Sequence, residues 1–147
     1  NVILPADRES GCESDLGTVG FCFGAWVVGK TLAIDGYAAG VGIHPSFKVE
    51  MAAGGGGTYQ TLADGTGTKP ILFLPARNDD DMKASSEVVQ RLAEKRSVDP
   101  ETIAIEFKDM VHGWVSRGDR SDAKTRDDQD KALDLTVEFF EKNLKFN

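Results

Sequence analysis

The chain has 147 residues, a formal net charge of −7, 40% apolar residues and 28% charged residues. That length builds one hydrophobic core and falls short of two full domains, and the acidic balance argues against nucleic acid or an anionic membrane as a partner. No apolar run approaches the length of a membrane span, so no membrane insertion is expected.

Residues 1–15 are acidic and polar and do not read as a signal peptide. The two cysteines, Cys12 and Cys22, are too few for a disulfide scaffold. They point to a reducing compartment, the cytoplasm or an organelle matrix.

In chain order, Val2, Ile3 and Leu4 read as a strand stub, and 7–15 reads as loop. The apolar run 18–21 predicts a short buried strand. It leads into Gly20-Phe21-Cys22-Phe23-Gly24. This is the G-x-nucleophile-x-G form of an α/β-hydrolase elbow, with cysteine where serine usually stands. A glycine on each side lets the chain turn sharply from strand to helix. The turn aims the thiol at a helix N-terminus, where the dipole and the first N–H groups favour a thiolate. Residues 24–33 are apolar nearly all round, as in a helix packed on a sheet. Cys12 has neither flanking glycines nor a following helix, so it is expected to be inert.

Residues 36–43 form a small, apolar strand that ends at His44-Pro45-Ser46. The stretch 48–69 contains Gly54 to Gly57 and a second Gly cluster, and predicts a flexible surface loop. It lacks the Lys-Ser/Thr of a phosphate-binding loop. Residues 70–75 make the clearest strand, apolar on consecutive positions and so covered on both faces. Asp79-Asp80-Asp81 follows. The spacing predicts a helix over 82–95 with Val88, Val89, Leu92 and Ala93 on one face, and a strand over 102–107. A last helix is predicted over 126–144, with Leu133, Val137, Phe140 and Leu144 at helical spacing. Alternation of strands and helices makes the fold α/β, with a mostly parallel sheet of about four strands. The whole chain, 1–147, reads as one domain.

A cysteine nucleophile needs a base to take its proton, and a carboxylate to orient that base. His112 follows one predicted strand and Asp79 another. In a parallel sheet both lie beyond strand C-termini, on the edge that presents Cys22. The order nucleophile, acid, histidine is that of α/β hydrolases. His44 also ends a strand and is the rival base, or else a pocket wall. Asp80 and Asp81 are alternatives to Asp79, and Asp81 is also placed to cap the next helix. No His/Cys/carboxylate group has metal-ligand spacing, so no metal is expected.

These residues give the chain a resemblance to the dienelactone hydrolase family. It is carried by Val-Gly-Phe-Cys-Phe-Gly-Ala at 19–25, Gly-Ile-His-Pro-Ser at 42–46, Phe-Leu-Pro-Ala-Arg-Asn-Asp at 73–79 and Met-Val-His-Gly-Trp-Val-Ser-Arg-Gly-Asp at 110–119. The resemblance implies Cys22 as nucleophile, Asp79 as orienting acid and His112 as base, no cofactor, and hydrolysis of lactones or small esters. Arg77 departs from the glycine often found before the acid, which leaves its register open between Asp79, Asp80 and Asp81.

Family members also have several strands and helices before the elbow, whereas 21 residues precede Cys22 here. The fold expected is an α/β-hydrolase fold lacking its N-terminal strands. Those strands would supply the second oxyanion donor, so the one donor placed from sequence is the backbone N–H of Phe23. The elbow strand becomes a sheet edge, expected to be covered by upstream residues or by a partner protein. That edge supports a rival function, a non-catalytic subunit reusing the hydrolase fold.

Overall fold

The computed structural model describes residues 15–48 and 67–145. Cys12, the stub at Val2 to Leu4 and most of the glycine-rich stretch 48–69 lie outside them. Strands β1 (Leu16–Phe21), β2 (Tyr37–Ile43) and β3 (Ile71–Leu74) form a parallel sheet in the order β1-β2-β3. Helix α1 (Gly24–Thr31) joins β1 to β2, and α2 (Glu87–Arg96) follows β3. A one-turn helix, α3 (Trp114–Arg117), precedes the long C-terminal helix α4 (Ala123–Asn143). The fold is α/β, as the alternation predicts.

All four side chains of β3 are buried, which explains its unbroken Ile-Leu-Phe-Leu sequence. Ile71 and Phe73 join Ala25, Val28, Leu32, Val88 and Leu92 in one core under α1 and α2. Leu72 and Leu74 join Val41, Ile43, Phe107, Trp114 and Ala132 in a second core under α3 and α4. Strand residues thus alternate between two covered faces, the arrangement of a parallel sheet between helical layers.

The fourth predicted strand is reduced to two isolated parallel bridges, Phe73 to Ala104 and Ala76 to Phe107. Phe73 N–H donates to the Ile103 carbonyl at 2.6 Å, and Ile105 and Phe107 donate to the carbonyls of Phe73 and Pro75. Between these bonds stands Pro75, which has no N–H to return to the neighbouring segment, so the ladder is interrupted there. The segment runs parallel all the same.

The helix predicted over 82–95 begins later, at Glu87. Lys83 explains the delay. Its ammonium reaches Asp80 at 2.8 Å, Glu106 at 3.0 Å and the Arg77 carbonyl at 2.7 Å, and its backbone is extended. Those carboxylates raise the Lys83 pKa through direct hydrogen bonds. The chain is therefore held as a short 3-10 turn at Asp80–Met82. Ser86, not Asp81, occupies the position before α2.

In α4 the buried positions are Asp128, Gln129, Ala132 and Thr136. Leu133 and Val137, expected at the core, stand 47% and 55% exposed. Ala132 is small enough to bring the helix close to the sheet, and Gln129 is satisfied there by donating to the Trp114 and Gly118 carbonyls. The helix is rotated by about one position from its apolar stripe. Phe140 and Leu144 still pack over Gly17 of β1.

Among the described residues β1 pairs only with β2, so its other side is an edge. Val19 and Phe21, on the face shared with Gly17, are 46% and 39% exposed. The elbow strand is therefore not buried on both faces as its composition suggested.

Candidate active site

Three loops meet at the C-terminal edge of the sheet. Cys22 ends β1, Asp79 follows β3, and His112 follows the bridged fourth segment. Cys22 sits at φ 55°, left-handed backbone that a non-glycine residue adopts only where its surroundings enforce it. The enforcing bonds are three. Cys22 N–H donates to the Ile43 carbonyl at 3.1 Å, and the Cys22 carbonyl accepts from Ala25 N–H at 3.1 Å and Ser46 N–H at 3.0 Å. The elbow is thus tied to β2, to α1 and to the loop after β2.

The two elbow glycines have different roles. A Cβ on Gly20 would collide with the carbonyl of Gly24, so the turn closes only over a bare backbone. A Cβ on Gly24 would meet nothing within 4 Å, so Gly24 is not required by space. Sequence reasoning gave both the same part.

The Cys22 Sγ lies 3.1 Å from His112 Nε2, and His112 Nδ1 lies 2.7 Å from Asp79 Oδ1. With Nδ1–H donating to the carboxylate, Nε2 is left as the acceptor facing sulfur. The Asp79 side chain is 5% exposed and its other oxygen accepts from Ala76 N–H at 2.8 Å. Asp80 instead pairs with Lys83 and is 80% exposed. Phe23 stands at the N-cap of α1, an end that no side chain caps. Its side chain is 59% exposed.

His44 is 1% exposed, with φ 37°. Its ring stands edge-on to that of His112 at 5.1 Å and 5.8 Å from Phe21. Its Nε2 is 3.5 Å from Ser116 Oγ, and its Nδ1 is buried without a partner. Burial, reinforced by the neighbouring His112, lowers its pKa to about 4. His44 is therefore neutral at pH 7. It contacts the His112 ring, and it is His112 that reaches both Cys22 and Asp79.

Two polar residues near this cluster carried no assignment from sequence. Asn78 Oδ1 accepts the backbone N–H of His112 at 2.8 Å, across 34 positions of chain. Ser116 reaches His44 and the Gly113 carbonyl. Asn78 stands directly before Asp79 in one of the quoted segments. Its neighbour was the available signal, although nothing in the spacing says what an amide would bind.

A cavity of about 200 Å³ opens beside His112 and is lined also by Pro45, Ser46, Lys48, Asn78, Asp79 and Asp81. A second, of about 330 Å³, is lined by Met110, Val111, His112, Trp114 and Arg117, among others. Among the described residues no group of three or more His, Cys, Asp or Glu is placed to hold a metal ion. None of the described helices is long and apolar enough to cross a membrane.

A parallel sheet with a strained, helix-leading elbow at one strand end has the architecture of α/β hydrolases. The chain belongs to the dienelactone hydrolase family, whose family model matches residues 3–144. No curated protein and no solved structure matched it.

Proposed function

We propose that the chain hydrolyses lactones or small esters through a Cys22-His112-Asp79 triad. The observation that carries this reading is the pair of short contacts, 3.1 Å and 2.7 Å, on opposite nitrogens of one imidazole. A loop histidine bonded at random has no reason to face a thiol and a buried carboxylate at once.

In this reaction His112 Nε2 takes the proton from Cys22 Sγ as sulfur attacks the substrate carbonyl carbon. The C=O pair moves to oxygen, and the N–H of Phe23 at the start of α1 stabilises the oxyanion. As the carbonyl reforms, the C–O bond of the ester breaks. Nε2–H gives its proton to the departing alkoxide, which in a lactone stays tethered to the acyl group. A water then loses a proton to Nε2 and attacks the Cys22 thioester. Collapse releases the carboxylic acid and returns the proton to sulfur. Asp79 holds the Nδ1–H throughout and stabilises the imidazolium.

The substrate class is a small molecule, consistent with the family and with the size of the cavities beside His112. The cycle needs Cys22 as a free thiol, which suits a reducing cytoplasm or organelle matrix. The test is hydrolysis of p-nitrophenyl acetate and of a five-membered unsaturated lactone by the chain and by its Cys22→Ala variant. Turnover lost in the variant supports the reading. Equal turnover in both overturns it.

A second reading is supported by the β1 edge, where Val19 and Phe21 stand exposed. It takes the chain as a non-catalytic subunit whose partner protein adds a strand against β1. The intact contacts around His112 favour the hydrolase.

A further inference from the structure

Three consecutive residues after β3 grip the loop that carries His112. Arg77 N–H donates to the Met110 carbonyl at 3.1 Å. Asn78 Oδ1 accepts the His112 backbone N–H at 2.8 Å. Asp79 Oδ1 faces His112 Nδ1 at 2.7 Å. The first two bonds hold the backbone of the loop, and the third holds the ring.

We infer that Asn78 is a positioning residue for His112, an inference that rests on the hydrolase reading above. A ring held only by Asp79 can pivot about that contact and carry Nε2 away from sulfur. Anchoring the His112 backbone beside the same loop removes this freedom, because the acid and the second anchor are adjacent residues and move together. The amide orientation follows from the donor it meets. A backbone N–H requires an acceptor, so Oδ1 is turned to His112 and Nδ2 is turned elsewhere. Asn78 also lines the cavity of about 200 Å³.

Asn78 is itself held at its base. Lys83 donates to the Arg77 carbonyl at 2.7 Å, and Asp79 Oδ2 accepts from Ala76 N–H at 2.8 Å. The support therefore stands on the acid side and reaches across to the loop that carries His112, whose own turn bonds run from Met110 N–H to the Phe107 carbonyl and from Trp114 N–H to the Val111 carbonyl, both at 3.1 Å. Gly113, the residue after His112, has φ 89° and no side chain to pack.

The test compares the full chain with Asn78→Ala and Asn78→Asp. Ester hydrolysis gives kcat and KM, and iodoacetamide labelling of Cys22 as a function of pH reads the Cys22-His112 contact without turnover. Asn78→Ala should lower kcat about 10-fold with KM within about twofold, the size of one lost hydrogen bond expressed in the transition state. It should also change the pH profile of Cys22 labelling. Asn78→Asp keeps an acceptor at the same place and should restore kcat to within about threefold of the native chain, with the acid limb of its profile moved upward by the added charge. Unchanged kcat and an unchanged labelling profile in Asn78→Ala would overturn the inference, as would Asn78→Asp falling as far as Asn78→Ala. If the native chain hydrolyses no ester, the hydrolase reading fails separately. The labelling profile then decides the positioning role alone.

Discussion

Cys22 and His112 are separated by 90 positions of chain and by 3.1 Å in space. The contact exists because β1 and the bridged segment after α2 run the same way through one sheet and end on the same edge. Each residue is held by backbone bonds that do not involve the other, Cys22 through Ile43, Ala25 and Ser46, and His112 through Asn78.

The triad reading predicts unequal costs for its members. His112→Ala should lower kcat/KM for a small ester about 10³-fold or more, since it removes the proton acceptor. Asp79→Asn should cost about 10²- to 10⁴-fold, because the amide disturbs the tautomer that leaves Nε2 facing sulfur. Asp80→Asn should change the rate less than about twofold, as Asp80 is exposed and paired with Lys83. Steady-state kinetics on the three variants checks the order. A large loss in Asp80→Asn alone would reassign the acid.

The elbow predicts opposite outcomes for its two glycines. Gly20→Ala places a Cβ against the Gly24 carbonyl and should destabilise by about 2 kcal/mol or more. Gly24→Ala meets nothing within 4 Å at the start of α1 and should be neutral or stabilise by up to about 1 kcal/mol. Thermal unfolding of both variants measures the contrast, and equal shifts in Tm would contradict it.

Burial lowers the pKa of His44 from 6.5 to about 4. Between those values the unfolded chain binds more protons at this site than the folded one. The contribution to stability is therefore fully present above pH 6.5 and is lost as pH falls to about 4, up to about 3 kcal/mol. Urea unfolding at several pH values between 4.5 and 7, with His44→Gln as reference, isolates it from the carboxylates. The native chain should lose more stability across the window than the variant. Parallel profiles would show that His44 does not titrate this way.

The exposed edge predicts self-association. Val19 is 46% exposed on a strand that has one unpaired side among the described residues, so Val19→Lys should reduce concentration-dependent association and shift stability by only about 0.5 kcal/mol. Sedimentation velocity over a tenfold concentration range reads this. A native chain that stays monomeric throughout, indistinguishable from the variant, would contradict it.

Much of this was legible in the sequence because nearest-neighbour chemistry decides it. The run at 70–75 could only be a doubly covered strand, and glycines beside a cysteine that follows a strand specify an elbow. Other features depend on partners far along the chain. Lys83 delays α2 by reaching Glu106, and Pro75 interrupts a ladder whose other side is 30 positions away. Leu133 and Val137 fit a helical stripe perfectly well, yet the small side chain of Ala132 and the satisfied amide of Gln129 turn α4 by one position. Asn78 carried no assignment from sequence because its acceptor role is visible only once His112 is beside it.

The central claim is that Cys22 attacks the substrate carbonyl, and it is tested most directly by trapping the acyl-enzyme. The chain is mixed with a slowly deacylating ester, quenched in acid within the first turnover, digested and analysed by mass spectrometry. The account predicts one acyl group on the peptide carrying Cys22, none on Cys12, and none anywhere in Cys22→Ala. Turnover that proceeds with no acyl group on Cys22, and that survives in Cys22→Ala, would contradict it.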